Sequence, residues 1–429
     1  MADRERISFP NKTNPLESGF IDNPKIRPGM HRAARQLQSA AFVDAMIELG
    51  WSDARRNRYH PIWLRDNCRC ERCGDPAIGY RSLRLSALDL NLKPVTLTAD
   101  PAGLDITWED GHRSHYPAAW LDEYAYDDAA RRARAFIAKP WDDALRRDPP
   151  SFDYRQVSAD DEQLLGMLCQ LRDHGICLVH GAPAEAGIVE ALSRRFGFPQ
   201  ASNFGIVQDL VFNPEMRSIA NDIKALKPHT DEPYRASPPG ILLFHCIAND
   251  QTGAGSSTFV DGFEIAERLR AHDLQGFNAL CNNSQPFRRH FADDVDLIAE
   301  FPLISVDEFG HLCGVRINDR VAAPAMIAPD QVEAYYRGLH YLLQQSEDPQ
   351  LILHLTLKPG DIVIFDNHRV LHGRTDLTVN GQRWLQWVQV ERGDFHSSLR
   401  ILADRFGQAR DARPLMKGAY GKSGNGAQT

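Results

Sequence analysis

Lys227-Pro-His-Thr-Asp-Glu-Pro-Tyr234 sets an imidazole and a carboxylate, His229 and Asp231, two residues apart. On an extended strand alternate side chains share a face, so this pair can converge on one metal ion. Two ligands do not complete a site. A third ligand, open coordination positions and an anchor for a co-substrate have to come from elsewhere in the chain.

Outward from this stretch the sequence is rich in strand signals. Gly240-Ile-Leu-Leu-Phe-His-Cys-Ile247 and Ser256-Ser-Thr-Phe-Val-Asp-Gly262 read as buried strands joined as a hairpin. Later, Ile362-Val-Ile-Phe365 reads as a strand leading to Asn367-His-Arg-Val-Leu-His-Gly-Arg374, a turn at Asn380-Gly381, and Gln382-Arg-Trp-Leu-Gln-Trp-Val-Gln389. Paired strands at both ends of a long segment predict a jelly roll with a central insertion between about 265 and 350. Helix patterns from about Asp160 to His174 and up to Gly197 precede it, so the fold class is α+β, mainly β.

These strands supply the missing parts. His372 is the candidate third ligand, and Arg383 lies on the following strand, across a hairpin. Two histidines and one carboxylate on one face of an iron leave three positions open, the facial triad of non-haem Fe(II) oxygenases. There 2-oxoglutarate can chelate through its keto-acid end beside O2. Its far carboxylate needs a permanently charged, bidentate partner, which favours a guanidinium. Arg383 takes that role, with the Ser257 hydroxyl as a weaker contact; Arg374 shares the facing of His372 and stays a rival. A lone histidine in a strand is more often a hydrogen-bonded core residue than a ligand. The joint occurrence of His-x-Asp, His-Gly-Arg and a following arginine outweighs that reading, and His368 is left as a rim residue.

The N-terminal third carries a short repeat. Trp51-Ser-Asp-Ala-Arg-Arg-Asn-Arg-Tyr59-His-Pro-Ile-Trp63-Leu64 returns as Trp108-Glu-Asp-Gly-His-Arg-Ser-His-Tyr116-Pro-Ala-Ala-Trp120-Leu121. Each copy reads as a strand, an Asp-centred turn and a second strand, which predicts two hairpins packed through their tryptophans. Cys68, Cys70 and Cys73 follow the first copy, and His112 lies in the turn of the second. Three thiolates and an imidazole make a closed structural zinc site. His115 competes for the fourth place; His112 is preferred because the turn after Asp110-Gly111 is expected to aim it outward.

Of 429 residues, 49 are Lys or Arg and 57 are Asp or Glu, a net charge of −8 that gives no case for nucleic-acid binding. The absence of an apolar leader and of any long apolar run predicts a cytoplasmic protein with no membrane span. The other five cysteines are isolated in mostly apolar surroundings and read as reduced core thiols. The expected organisation is a flexible arm over 1–35, a zinc-binding β-domain over 36–125 and a linker helix over 126–150. An oxygenase domain over 151–405 and a flexible tail over 406–429 complete it.

Trp63-Leu-Arg-Asp-Asn-Cys68, His229-Thr-Asp231, Pro239-Gly240, His245-Cys246, Val260-Asp-Gly-Phe263, Gly360-Asp361, Phe365-Asp-Asn367, Leu371-His-Gly-Arg374 and Leu399-Arg-Ile-Leu402 follow one another in order. Through them the sequence resembles the γ-butyrobetaine and trimethyllysine dioxygenases of the wider taurine dioxygenase-like group. The resemblance implies an N-terminal zinc domain, a double-stranded β-helix, Fe(II) at His229, Asp231 and His372, 2-oxoglutarate on Arg383, and a homodimer. It implies oxidative decarboxylation of 2-oxoglutarate, to succinate and carbon dioxide, coupled to hydroxylation of an aliphatic C–H bond.

One departure bears on the substrate. Family members acting on trimethylammonium compounds ring the cation with aromatic side chains, because a quaternary ammonium is held by cation–π attraction. The positions that correspond are Phe204, Gln208, Asn221 and Gln389, with Trp387 on the facing of Arg383 as an added ring. One aromatic among four points to a small polar substrate. A genuine γ-butyrobetaine hydroxylase with a rearranged cage is the alternative. A non-enzymatic zinc-stabilised binding protein and a metal-dependent hydrolase are the rivals from other classes.

Overall fold

The computed structural model describes residues 35–75, 80–211, 224–249, 255–291, 295–376 and 383–408. Asn221, the Asn380-Gly381 turn, nearly all of the expected arm and most of the expected tail lie outside the described residues. The chain divides into two compact units, Met1–Arg134 and Ala135–Thr429.

In the first unit the repeat folds as two copies of one motif. β1 (Leu37–Val43), β2 (Met46–Trp51) and β3 (Arg56–Tyr59) form one antiparallel sheet, and β4 (Pro94–Asp100), β5 (Gly103–Trp108) and β6 (Arg113–Pro117) form another. Each hairpin runs into a short helix, α1 (Pro61–Asp66) or α2 (Ala118–Glu123). Trp63-Leu64 and Trp120-Leu121 therefore lie on helices, beyond the strands that the repeat suggested. Pro61 opens α1 at a position where a missing N–H costs nothing.

The copies complete each other. The Tyr59 hydroxyl donates to the Leu121 carbonyl at 2.7 Å, and the Tyr116 hydroxyl donates to the Leu64 carbonyl at 2.5 Å. Within each copy the indole N–H finds the same relative position, Trp51 to Asn57 at 2.7 Å and Trp108 to Ser114 at 2.9 Å. Equal bonds exchanged between equal positions make a pseudo-twofold unit, with Trp63 and Trp120 meeting at 5.4 Å between ring centres. The turns also match: Gly111 has φ of 75°, and Ala54 takes φ of 65° at the same place. That conformation costs an L-residue about 1 kcal/mol or more.

The second unit is built on two sheets. One has six strands in the order β9 (Gln208–Val211), β20 (Arg383–Val390), β11 (Ile241–Asn249), β18 (Ile362–Asp366), β8 (Ile176–His180), β7 (Ser151–Asp153). The other has four, in the order β10 (Leu226–His229), β19 (Val370–Arg374), β12 (Ser257–Asp261), β17 (Leu353–Leu355). Leu242, Phe244, Phe365, Leu385 and Trp387 from the larger sheet pack with Phe259, Leu353 and Val370 from the smaller to fill the space between them.

The hairpin expected between β11 and β12 is not formed, because the chain changes sheet between them; β19 and β20 are separated in the same way. β11 reads as a continuous apolar run because both its faces are covered. On its outer side the six-stranded sheet carries α3 (Asp161–His174) and α7 (Arg392–Arg405), through Leu168, Leu171, Phe395 and Leu399. α3 starts where the Asp160 carboxylate accepts from the Glu162 and Gln163 amides, and ends at Gly175 in the left-handed region.

The insertion supplies a third layer. α4 (Gly262–His272), α5 (Leu274–Asn282) and α6 (Val332–Ser346) pack with Val260 and Leu371 on the outer face of the smaller sheet. Between α5 and α6 run β13 (Ser284–Phe291), β14 (Val295–Pro302), β15 (Ile304–Val306) and β16 (Leu312–Val315). Gly373, inside the His-Gly-Arg motif, has no room for a side chain. A Cβ there would stand 2.3 Å from the Leu226 carbonyl and 2.9 Å from the Thr258 hydroxyl, so glycine is what lets β10 and β12 close on β19.

Candidate active site and metal centres

Strand pairing assembles the His-x-Asp pair with His372. His229 on β10 sits directly opposite His372 on β19, so both imidazoles share one face, with ring centres 4.4 Å apart. Asp231 follows just beyond the end of β10. Its two oxygens lie 3.2 Å from His229 Nε2 and 3.3 Å from His372 Nε2. An octahedral face with bonds of about 2.1 Å has edges of roughly 3.0 Å, so these three donors fit one six-coordinate ion.

Neighbouring groups set the orientation of the donors. His229 Nδ1 lies 2.9 Å from the Lys227 carbonyl, which fixes its proton there and leaves Nε2 as the donor to a metal. Asn367 accepts from the Asp231 amide at 2.7 Å and donates to the carbonyls of Asp231 and Pro239. On the other flank, the Thr230 carbonyl accepts from the Asn318 side chain at 3.2 Å, and the Ile317 amide donates to the Thr230 hydroxyl. Burial, then the His372 charge, lowers the pKa of His229 to about 4, the Asp231 carboxylate opposing. Burial would raise Asp231, yet the two imidazoles, His372 foremost, hold it far below the usual carboxylate range. A neutral His229 beside a permanent carboxylate is a donor state that suits a divalent ion.

Period-two facing gathers the remaining expected residues. Ser257 stands opposite Arg374 on the strand pair that sets Phe259 opposite His372, so all four share the inner face. On β20, Arg383, Leu385, Trp387 and Gln389 alternate onto the inner face, whereas Trp384 and Gln386 turn outward to Asp209. Gln208 pairs with Trp387, and Trp387 with Phe244, whose ring centre is 5.7 Å from that of His372. Burial and then the Arg374 charge lower the pKa of Arg383 to about 10, which leaves it protonated at neutral pH. The two guanidiniums therefore approach one end of the same interior from different sheets. Gln389 is buried, and its Oε1 has no hydrogen-bond partner. Phe204 is exposed on a loop whose Asn203 accepts from Arg235. His368 is buried, with Nε2 3.4 Å from the Pro238 carbonyl, and is no rim residue.

The second cluster lies in the first unit. His112 Nε2 is 3.4 Å from Cys68 Sγ and 3.5 Å from both Cys70 Sγ and Cys73 Sγ. Zinc bonds of about 2.3 Å to sulfur and 2.0 Å to nitrogen put S and N about 3.5 Å apart at the tetrahedral angle, so the four donors fit zinc. His112 does not point outward as its turn suggested; it is buried against the thiols. His115 is exposed and pairs with Asp105 at 2.9 Å. Burial pushes the Cys73 thiol up to about 11, and the buried Arg65, 3.4 Å from Cys73 Sγ, opposes that push. In the other copy, Arg55 stands where His112 stands, and it closes an ion cluster with Asp53 and Asp122 in place of a metal site.

Asn367, Asn318 and the Lys227 carbonyl carried no expected role. Asn367 had a signal in the Phe365-Asp-Asn367 motif; the other two are recognisable only from their neighbours in space.

Residues 106–389 match the family model described as taurine catabolism dioxygenase TauD, TfdA family, and residues 41–122 match that of gamma-butyrobetaine hydroxylase-like, N-terminal. A gamma-butyrobetaine dioxygenase of Pseudomonas sp. (strain AK-1) is 33% identical over 85% of this chain and 96% of its own length. That of Homo sapiens is 28% identical over 86% of this chain and 98% of its own length. A trimethyllysine dioxygenase of Meyerozyma guilliermondii is 26% identical over 87% and 97%.

Proposed function

The chain belongs to the taurine catabolism dioxygenase TauD, TfdA family and is a 2-oxoglutarate-dependent dioxygenase, from which we propose that His229, Asp231 and His372 hold its Fe(II) and that Arg383 holds its 2-oxoglutarate. The observation that carries this reading is the convergence of the three donors on one face, with Arg383 turned into the same interior. When bound, iron and 2-oxoglutarate use O2 to decarboxylate the keto acid to succinate and to insert one oxygen atom into a C–H bond.

The chain's own residues do the rest. His229 and His372 present their Nε2 atoms, and Asp231 supplies the negative charge. Arg383 fixes the far carboxylate of 2-oxoglutarate, with Arg374 and Ser257 beside it. Phe244, Phe365 and Trp387 wall the interior against water.

The substrate that fits best is a small polar molecule carrying hydrogen-bonding groups. Gln208 and Gln389 face the interior where a trimethylammonium cage would need rings, and the buried Gln389 Oε1 is an acceptor without a partner. The second reading is hydroxylation of γ-butyrobetaine or a related trimethylammonium compound, supported by the relatives and by the rings of Trp387 and Phe204. Anaerobic addition of Fe(II) and 2-oxoglutarate is expected to give a visible charge-transfer band, followed in air by substrate-dependent succinate release. No band means no such site. The strongest succinate release with γ-butyrobetaine, over carboxylates, amino acids and phosphonates, selects the second reading.

Cys68, Cys70, Cys73 and His112 hold a structural zinc on this reading. Structural zinc contributes about 10–16 kcal/mol in small domains, against the roughly 5–15 kcal/mol that holds a domain folded. Cys73→Ser is therefore expected to lose the one zinc per chain and to leave the first unit open to proteolysis. A variant that keeps its zinc, or stays protease-resistant without it, counts against the assignment. No helix among the described residues is long and apolar enough to cross a membrane. The family resemblance supports a homodimer, to be checked by light scattering, and the cytoplasmic location expected from the sequence is to be checked by cell fractionation.

A further inference from the structure

Arg320 is a cation near the metal-binding pair to which the oxygenase chemistry gives no role. It lies in a short turn, Asp319–Val321, pinned on both sides. Before it, Asn318 donates to the carbonyl of Thr230, the residue between His229 and Asp231. After it, Ala322 bridges to Phe287 and the Ala323 amide donates to the Pro286 carbonyl. The turn thus sets Arg320 beside the metal-binding pair, and its charge acts on both His229 and Asp231.

Its guanidinium makes no hydrogen bond or ion pair among the described residues. The residue is open to solvent, yet surrounding protein lowers its pKa, with the Asp231 charge opposing. Arg289, on β13, adds a second positive charge within reach of Arg320 and of the buried Tyr234. Once Asp231 serves a metal, that carboxylate is committed, and the exposed Asp319 next in the chain is left to oppose the charge of Arg320.

We propose that Arg320 is a specificity-determining residue that pairs with an anionic group, a carboxylate, on the substrate to be hydroxylated. It is distinct from the 2-oxoglutarate anchor, because Arg383 and Arg374 enter from β20 and β19 whereas Arg320 enters from the insertion. A planar guanidinium can hold a carboxylate with two parallel hydrogen bonds, which fixes the rotation as well as the distance of the bound molecule. The insertion on this view decides which small acid presents its C–H bond.

The proposal rests on the oxygenase reading, so its test separates the two. The wild type, Arg320→Gln and Arg320→Lys are loaded anaerobically with Fe(II) and 2-oxoglutarate. Each is titrated with γ-butyrobetaine, 4-aminobutyrate and Nε-trimethyllysine, each beside its carboxamide, and binding is read from the displacement of the charge-transfer band. At least one carboxylate is expected to bind the wild type about tenfold or more tightly than its amide. Arg320→Gln brings that ratio to within about twofold and Arg320→Lys retains part of it, with the band itself intact in all three. A wild type in which no carboxylate outbinds its amide, or a preference that survives Arg320→Gln, overturns the role of Arg320. A wild type without the band overturns the oxygenase site, and this role with it.

Discussion

Asp231→Ala is expected to abolish product-coupled turnover. The carboxylate is the only anionic donor among the three, and its two oxygens reach both imidazoles. Losing a residue that merely orients a ligand costs about 10–100-fold in metal affinity or activity. Removal of a charged ligand exceeds that, so the expected loss is on the order of 10³-fold or more. Fe(II) binding and the anaerobic charge-transfer band disappear together with succinate release. Zinc content is unaffected, since the cysteine cluster lies in the other unit. Activity at the wild-type level in this variant would sink the iron assignment.

The second large effect belongs to Arg383. Truncating one partner of a desolvated charge pair costs about 2–5 kcal/mol, which corresponds to roughly 30-fold to several-thousand-fold in affinity. Arg383→Met is expected to raise KM for 2-oxoglutarate within that range while leaving bound iron unchanged. Arg383→Lys falls between, because an ammonium keeps the charge but not the two parallel bonds. Arg374 is the rival from the neighbouring sheet, and its charge already bears on Arg383. Arg374→Met is the internal comparison. If it raises KM for 2-oxoglutarate more than Arg383→Met does, the roles of the two arginines are exchanged.

The elements most legible in the sequence were those governed by local periodicity. The spacing of His229 and Asp231, the alternation Arg383, Leu385, Trp387, Gln389 and the register of the two tryptophan copies all follow from a few consecutive residues. Sheet membership is a different kind of information. β11 and β12 look like a hairpin because they are apolar and close in sequence, yet they lie in opposite sheets. Nothing in either strand records that the link between them crosses the sandwich. The helices carrying Trp63 and Trp120 were likewise taken up in the strand pattern, since six residues are too few to display a helical period.

By itself the sequence determined the chemistry available to the chain: an alternating pair of metal donors, a third histidine, a guanidinium on the right facing and a thiolate cluster near a histidine. Those depend on side-chain type and on a two-residue period, both of which are local. Only the tertiary structure decided which groups meet. It set His229 opposite His372, tied Asp231 to Asn367, buried His112 against three sulfurs and brought Arg320 from the insertion to the flank of the metal-binding pair. Each of those contacts joins residues far apart in the chain, and their distances are set by the packing of whole sheets and layers rather than by any property of the stretch that contains them.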